Sequence, residues 1–211
     1  MKKPIIHCLF LLMFIPLATS LHAQSLSYGV KAGLNLNNLN ISPEEDPPAP
    51  TLRPGIHIGG FLEYGLTESI SVMPEVSVST QGANDSDPEV DQRVKLTYLN
   101  IPVLVKYQLP MGVSLYAGPQ IGILAGGEFE EEDKGSGEQE IYQAGDYYKG
   151  ADLSLGFGAA YTLDMGIGVH IRYNLGLSDN NNDLQGNAFY EPNQTIKSQV
   201  LQASVHYYIG K

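Results

Sequence analysis

Past residue 24 no apolar stretch approaches the roughly 20 residues a membrane-spanning helix needs, yet eight segments alternate apolar and polar side chains with a period of two. That period belongs to strands, whose successive side chains point to opposite faces. The segments run over 25–37, 55–66, 69–81, 93–108, 112–125, 150–163, 166–177 and 197–209. In the seventh, Ile167, Val169, Ile171, Tyr173, Leu175 and Leu177 oppose Gly168, His170, Arg172, Asn174 and Gly176. In the third, Ile70, Val72, Val76 and Val78 oppose Ser71, Glu75, Ser77 and Ser79. If such a chain enters a membrane, it does so as a closed barrel, because every backbone group must be paired there.

Alternation alone does not say which face is outside. A soluble ligand-binding barrel turns its apolar face inward, and a membrane barrel turns it outward. Two observations favour the second. The links near Thr67-Glu68, Pro110-Met111 and Leu163-Asp164-Met165 are short, whereas those at 38–54, 82–92, 126–149 and 178–196 are long. Strict alternation of short and long links is the pattern of barrels with short periplasmic turns and long outer loops. The charge follows the same division. Leaving aside Lys2 and Lys3, segments 38–54, 82–93, 126–149 and 178–197 together carry all the net negative charge, with the largest share in 126–149, and the rest of the barrel body is neutral as a set.

The start of the chain reads as a leader. Lys2 and Lys3 precede an apolar run from Ile5 to Pro16, and Ala23 offers a small residue before a cut ahead of Gln24. Residues 1–23 are therefore taken as a signal peptide and 24–211 as one barrel domain. The only cysteine, Cys8, lies in the leader, so disulfides and thiol chemistry are excluded from the domain.

Inside the polar faces five charged residues stand out: Lys31, Glu63, Glu75, Lys106 and Arg172. Counted from the short links they fall in one broad layer. An eight-stranded barrel is just wide enough for side chains to fill, so opposite charges at that depth are expected to pair. They are read as a structural ion-pair plug, with a proton or solute path through His57, His170 and His206 as the functional alternative. On the apolar faces, Tyr28, Tyr64, Tyr107, Tyr161, Tyr173 and Tyr207 suit the membrane–water boundary. In the longest link, Glu128, Glu130, Glu131, Glu132 and Asp133 form a candidate cation-binding loop, since hard cations take several carboxylate oxygens. The run lacks any spaced calcium motif, and a solvated acidic loop explains it as well.

The segment Tyr98-Leu-Asn-Ile-Pro-Val-Leu-Val-Lys-Tyr107, the opening Tyr28-Gly-Val-Lys-Ala-Gly-Leu-Asn35, Tyr116-Ala-Gly-Pro-Gln-Ile-Gly122 and the ending Tyr207-Tyr-Ile-Gly-Lys211 occur in that spacing along the chain. Together they resemble the Bacteroidetes outer-membrane β-barrel domain family that includes PorT-like proteins. The resemblance implies an OmpA/OmpX-like eight-stranded barrel. It lends no single activity.

No G-x-S-x-G, H-E-x-x-H, P-loop or dinucleotide fingerprint occurs. A lipid-modifying enzyme would have His170, His206, Ser154 and Ser204 to draw on, but no spacing singles them out. The sequence thus points to an all-β fold, an eight-stranded antiparallel up-and-down transmembrane β-barrel with short periplasmic turns and four long extracellular loops, in the outer membrane. The expected role is structural or interactive rather than enzymatic, with acidic loops displayed on a plugged barrel. A narrow channel, a lipid-modifying enzyme and a soluble ligand-binding barrel stand as alternatives. Expected partners are outer-membrane lipid, the barrel-assembly machinery and an extracellular or envelope protein. No cofactor or metal is expected, and no nucleic acid, which the acidic outer side would repel.

Overall fold

A computed structural model describes residues 25–42, 52–86, 90–143, 148–181 and 195–210. The leader assigned to 1–23 lies outside them, as do parts of the long links. Among the described residues nine strands follow one another: β1 (Leu26–Ser42), β2 (Arg53–Gly65), β3 (Ile70–Ser86), β4 (Val90–Gln108), β5 (Val113–Asp133), β6 (Gln139–Gln143), β7 (Ala151–Thr162), β8 (Ile167–Gly176) and β9 (Thr195–Gly210). All pairings are antiparallel. Eight strands close into a ring, with β9 against β1, β5 against β7, and β4 against both β3 and β5. The short β6 is added to the far end of β5. Among the described residues no helix is long and apolar enough to cross a membrane.

The three short links are tight because local chemistry closes them. Between β2 and β3, Leu66 N donates to Ile70 O at 2.8 Å and Ile70 N to Thr67 Oγ1 at 3.0 Å. Between β4 and β5, Met111 and Gly112 both take positive φ, at 65° and 79°. Between β7 and β8, Gly166 does the same at 84°, and its carbonyl accepts from Tyr208 N at 2.9 Å.

The facing is that of a membrane barrel. Ile56, Ile58, Val76, Val103, Val105, Val169, Ile171 and Val205 point out and are exposed, while Asn35, His57, Ser79, Asn100, Ser154, Arg172 and Gln202 point in and are buried. A protein carries that inversion only where hydrocarbon replaces water. The ten residues of β8, at about 3.3 Å each and tilted about 40° as closure requires, cover roughly 25 Å, the height of a lipid-facing band. Tyr28, Tyr107, Tyr161 and Tyr207 project outward near the short-turn ends, each about half exposed, as one interfacial girdle. Tyr173 does not belong to it. It lies six residues along β8 and packs on Phe157, with ring centroids 5.5 Å apart.

Two of the links read as loops are largely strand. β3 continues to Ser86, β4 begins at Val90, and β5 runs to Asp133, well past its last pairing with β7 at Ile123. With β6 they form a four-stranded sheet projecting beyond the barrel on the side opposite the short turns. Cross-strand pairing explains the extension. Lys95 lies opposite Glu128, and Arg93 opposite Glu130, so the acidic run faces bases on its neighbour.

Candidate functional site

The lumen is filled in layers, and the layers follow distance from the short turns. Glu63 and Lys106 lie two residues from the ends of β2 and β4, whereas Lys31, Glu75 and Arg172 lie five residues into β1, β3 and β8. Three residues of strand are about 10 Å. The five charges therefore form two groups rather than the single layer that counting from approximate turn positions suggests.

In the lower group Lys106 Nζ donates to both Glu63 oxygens at 3.0 Å and to Tyr208 OH at 3.0 Å. Tyr208 OH and Ser71 Oγ also donate to Glu63, the latter at 2.8 Å. In the upper group one carboxylate serves two cations. Arg172 grips Glu75 with both terminal nitrogens, at 2.7 and 2.8 Å, and Lys31 pairs with the same group. The side chains of all three are at most 3 % exposed. A bidentate guanidinium–carboxylate pair fixes geometry as well as charge, and here it bridges opposite walls of the barrel.

Between the two groups lies an apolar layer of Phe61, Met73, Leu104, Tyr116 and Ala160, with Tyr208 packed against it. These residues occupy the polar faces of their strands, so a two-state apolar/polar reading passes over them. Phe61 inside a run of glycines and Met73 beside Pro74 are the visible signals. Above the ionic group, His57 donates from Nδ1 to Asn35 Oδ1 and accepts at Nε2 from Ser204 Oγ, both at 2.7 Å. Asn35 Nδ2 donates to Ser79 Oγ at 2.8 Å. His170 stacks edge-on against His206, with centroids 4.5 Å apart. The three histidines join separate hydrogen-bond sets, and the serines nearest to chemistry, Ser154 and Ser204, are buried with them. None of these side chains lies on the lipid-facing surface.

The outer mouth is closed by a second apolar cluster. Val94, Leu96, Tyr98, Phe129, Tyr148 and Ile196 pack inside the projecting sheet. Asp152, buried below them, accepts from Ser178 Oγ at 2.8 Å and Ser198 Oγ at 3.0 Å, and Asn180 Nδ2 donates to Ser198 Oγ at 2.9 Å. Asp179 completes the collar, accepting from Ile196 N at 2.9 Å and Asn181 N at 3.0 Å and pairing with Lys149 at 3.3 Å. Burial alone would raise the Asp179 pKa. The two backbone N–H groups and the lysine outweigh it and hold the carboxyl below its usual value. Within the lumen, the cavities beneath Tyr148 and beside His170 are each about 10 Å³, near the size of one water.

The acidic run does not converge on a point. As strand, it sends Glu128, Glu130 and Glu132 to one face and Phe129 to the other, where Phe129 is 2 % exposed. Side chains two apart on a strand are about 7 Å from each other. Glu130 pairs with Lys95 and Glu132 with Arg93 at 3.6 Å, while Asp133 Oδ1 accepts from Gly135 N and Ser136 N at 2.8 Å. Those two N–H groups hold its carboxyl below the usual range. Among the described residues no three His, Cys, Asp or Glu side chains are grouped to hold a metal.

The family model described as "Outer membrane protein beta-barrel domain" matches residues 22–182, more than half of the chain. Among solved structures, Ail, the attachment invasion locus protein of Yersinia pestis, is similar over 87 % of this chain and 98 % of its own, with TM-score 0.52 and 12 % identity. The same protein in complex with the heparin analogue sucrose octasulfate covers 88 % and 99 %, with TM-score 0.51 and 13 % identity. Neisserial surface protein A (NspA) covers 87 % and 98 %, with TM-score 0.50 and 12 % identity. At such identities the likeness concerns the fold. No curated protein matches the sequence.

Proposed function

Because the chain belongs to the outer membrane protein beta-barrel domain family and lies in the cell outer membrane, we propose that it is a non-enzymatic, non-conducting barrel. Its stable body holds an acidic sheet and loops outside the cell for contact with an extracellular or envelope partner. The observation that carries this reading is the filling of the lumen. Two ionic groups, an apolar layer between them and an apolar cap fill the lumen above the vestibule at the short-turn mouth, and the cavities beneath Tyr148 and beside His170 are each about 10 Å³. The projecting β3–β6 sheet adds surface that a structure serving only to span lipid does not need. Ail carries a heparin analogue in one of its structures, but a polyanion does not suit this outer side, where acidic residues outnumber basic ones. The contact proposed here is with a neutral or basic partner. We further propose, from the resemblance carried by residues 28–35, 98–107, 116–122 and 207–211, that the barrel is of the PorT-like kind found in Bacteroidetes.

Two measurements test it. Purified protein in planar bilayers gives no open-channel current, and steady ion-selective conductance refutes the plug. Trypsin added to intact cells cuts at Lys134 in the β5–β6 turn, while protection of that bond refutes outward display.

A further inference from the structure

In the lower lumen Ser114 and His170 line one void, and each carries a buried polar atom. Ser114 Oγ and His170 Nε2 have no hydrogen-bond partner, their residues are 0 % and 5 % exposed, and both border the cavity of about 10 Å³ beside the two histidines. Orphaned polar atoms in a native interior are rare and call for a partner. The protonation of His170 follows from its neighbours. Tyr116 OH donates to Ile171 O at 3.2 Å, so its oxygen, 3.3 Å from His170 Nδ1, accepts the proton on that nitrogen. Nε2 is then left with a lone pair, on a residue that lines the void, and needs a donor.

A buried water requires about 10–15 Å³ and two or more polar partners, and the void supplies both. The cavity also has a way in. Lys106, Thr162 and Tyr208 border it, and the same three residues border a vestibule of about 250 Å³ at the short-turn mouth. Above it the Glu75 group crosses the lumen. We infer that one water molecule is bound here, donating to His170 Nε2 and hydrogen-bonded to Ser114 Oγ, and that it exchanges with the periplasmic vestibule past Tyr208. The lumen is then closed to ions yet hydrated from one side, up to the His170–His206 pair. This rests on the plugged-barrel reading.

Oxygen-17 magnetic relaxation dispersion on the whole barrel in detergent micelles counts long-lived internal waters. Ser114→Val, which fills the void with a methyl group, is expected to lower that count by one while keeping the heat-dependent mobility shift of a folded barrel. Tyr208→Ala joins cavity to vestibule and is expected to shorten the residence time of that water at least tenfold, whereas Tyr148→Ala at the outer cap leaves it unchanged. A high-resolution crystal structure of the unaltered protein needs no variant. It is expected to show a density peak within hydrogen-bonding distance, about 2.6–3.2 Å, of both atoms. An empty cavity there, an unchanged count, or a residence time that responds to Tyr148 and not Tyr208 overturns the inference. Failure of the plug itself would appear separately, as bilayer current.

Discussion

Glu75 is the residue on which the interior electrostatics turn, and Glu75→Gln is the change that isolates its role. The substitution keeps shape and size but removes the one carboxylate that Arg172 and Lys31 share. Breaking a buried ion pair by deleting one partner costs about 3–5 kcal/mol, because the other partner is left charged in a low dielectric. The side chains of both cations are at most 3 % exposed, so little solvent screening reduces that figure. The two cations are not equivalent once Glu75 is gone. A buried lysine can shed its proton, whereas arginine stays charged in any protein setting. Most of the cost is therefore expected to reside in Arg172.

This gives an ordered set of outcomes for urea unfolding in lipid vesicles. Glu75→Gln lowers stability by about 3–5 kcal/mol. Adding Arg172→Met recovers most of the loss, and adding Lys31→Met recovers less. Replacing all three with Met lies near the wild type, since well-packed apolar substitutes for buried ion groups are often neutral or stabilising. A Glu75→Gln loss below about 1 kcal/mol, the range of an exposed pair, would mean that water reaches the group and that the lumen is not closed at this level. Equal rescue by the two second changes would refute the argument from arginine.

Three further outcomes follow from other parts of the molecule. Val103→Arg, on the lipid face and 44 % exposed, is expected to cost about 2–4 kcal/mol near the bilayer centre. It should deplete the folded band on a heat-modifiability gel, and normal assembly would contradict the facing. Phe129→Ala removes a buried ring from the outer cluster, a loss of about 3–5 kcal/mol if fully felt. It is felt by the projecting sheet alone, so protease cuts near Lys134 faster while the gel shift persists. At Asp179 the folded pKa is lowered, so its contribution is present above the unfolded value of about 3.9 and lost as pH falls through the lower folded one. Amide exchange at Ile196 and Asn181 should accelerate only below about pH 4, and a transition near neutrality would refute the assignment.

What the sequence made legible was whatever has a period. Val169, Ile171 and Tyr173 against His170, Arg172 and Asn174 set strand, face and register together, because a one-residue slip would turn every side chain over. Depth is harder to read. Glu63 and Lys106 separate from Lys31, Glu75 and Arg172 only when strand ends are known to within a residue, and turns such as 110–112 set those ends by backbone geometry that composition only hints at. The outer sheet was obscured for a different reason. Glu128, Glu130, Glu131 and Glu132 signal solvent by composition, and such a run is ordinarily a solvated loop. The single Phe129 and the bases Arg93 and Lys95 on the opposing strand decide otherwise, and they act across a pairing that local sequence does not display.

The same pairing explains why a chain so acidic outside can build a sheet there. Lys95 with Glu130 and Arg93 with Glu132 set bases of β4 against part of the run, and Lys134, which follows the run, pairs with Asp91 of β4 at 2.9 Å. Exposed pairs of this kind each contribute less than about 1 kcal/mol. They do not hold the sheet up by themselves; Val94, Leu96, Tyr98 and Phe129 do that from its inner face. The ion pairs instead relieve the repulsion that would otherwise oppose packing Phe129 inward, and their worth falls as salt rises. Concentrated salt should therefore leave the projecting sheet intact in the wild type, because screening weakens repulsion among the glutamates together with the pairs. The sheet should become salt-dependent only when Lys95 and Arg93 are both replaced by Gln, with added salt then protecting it from protease. If salt exposes the wild-type sheet to cleavage, the pairs and not the aromatic core are what sustain it.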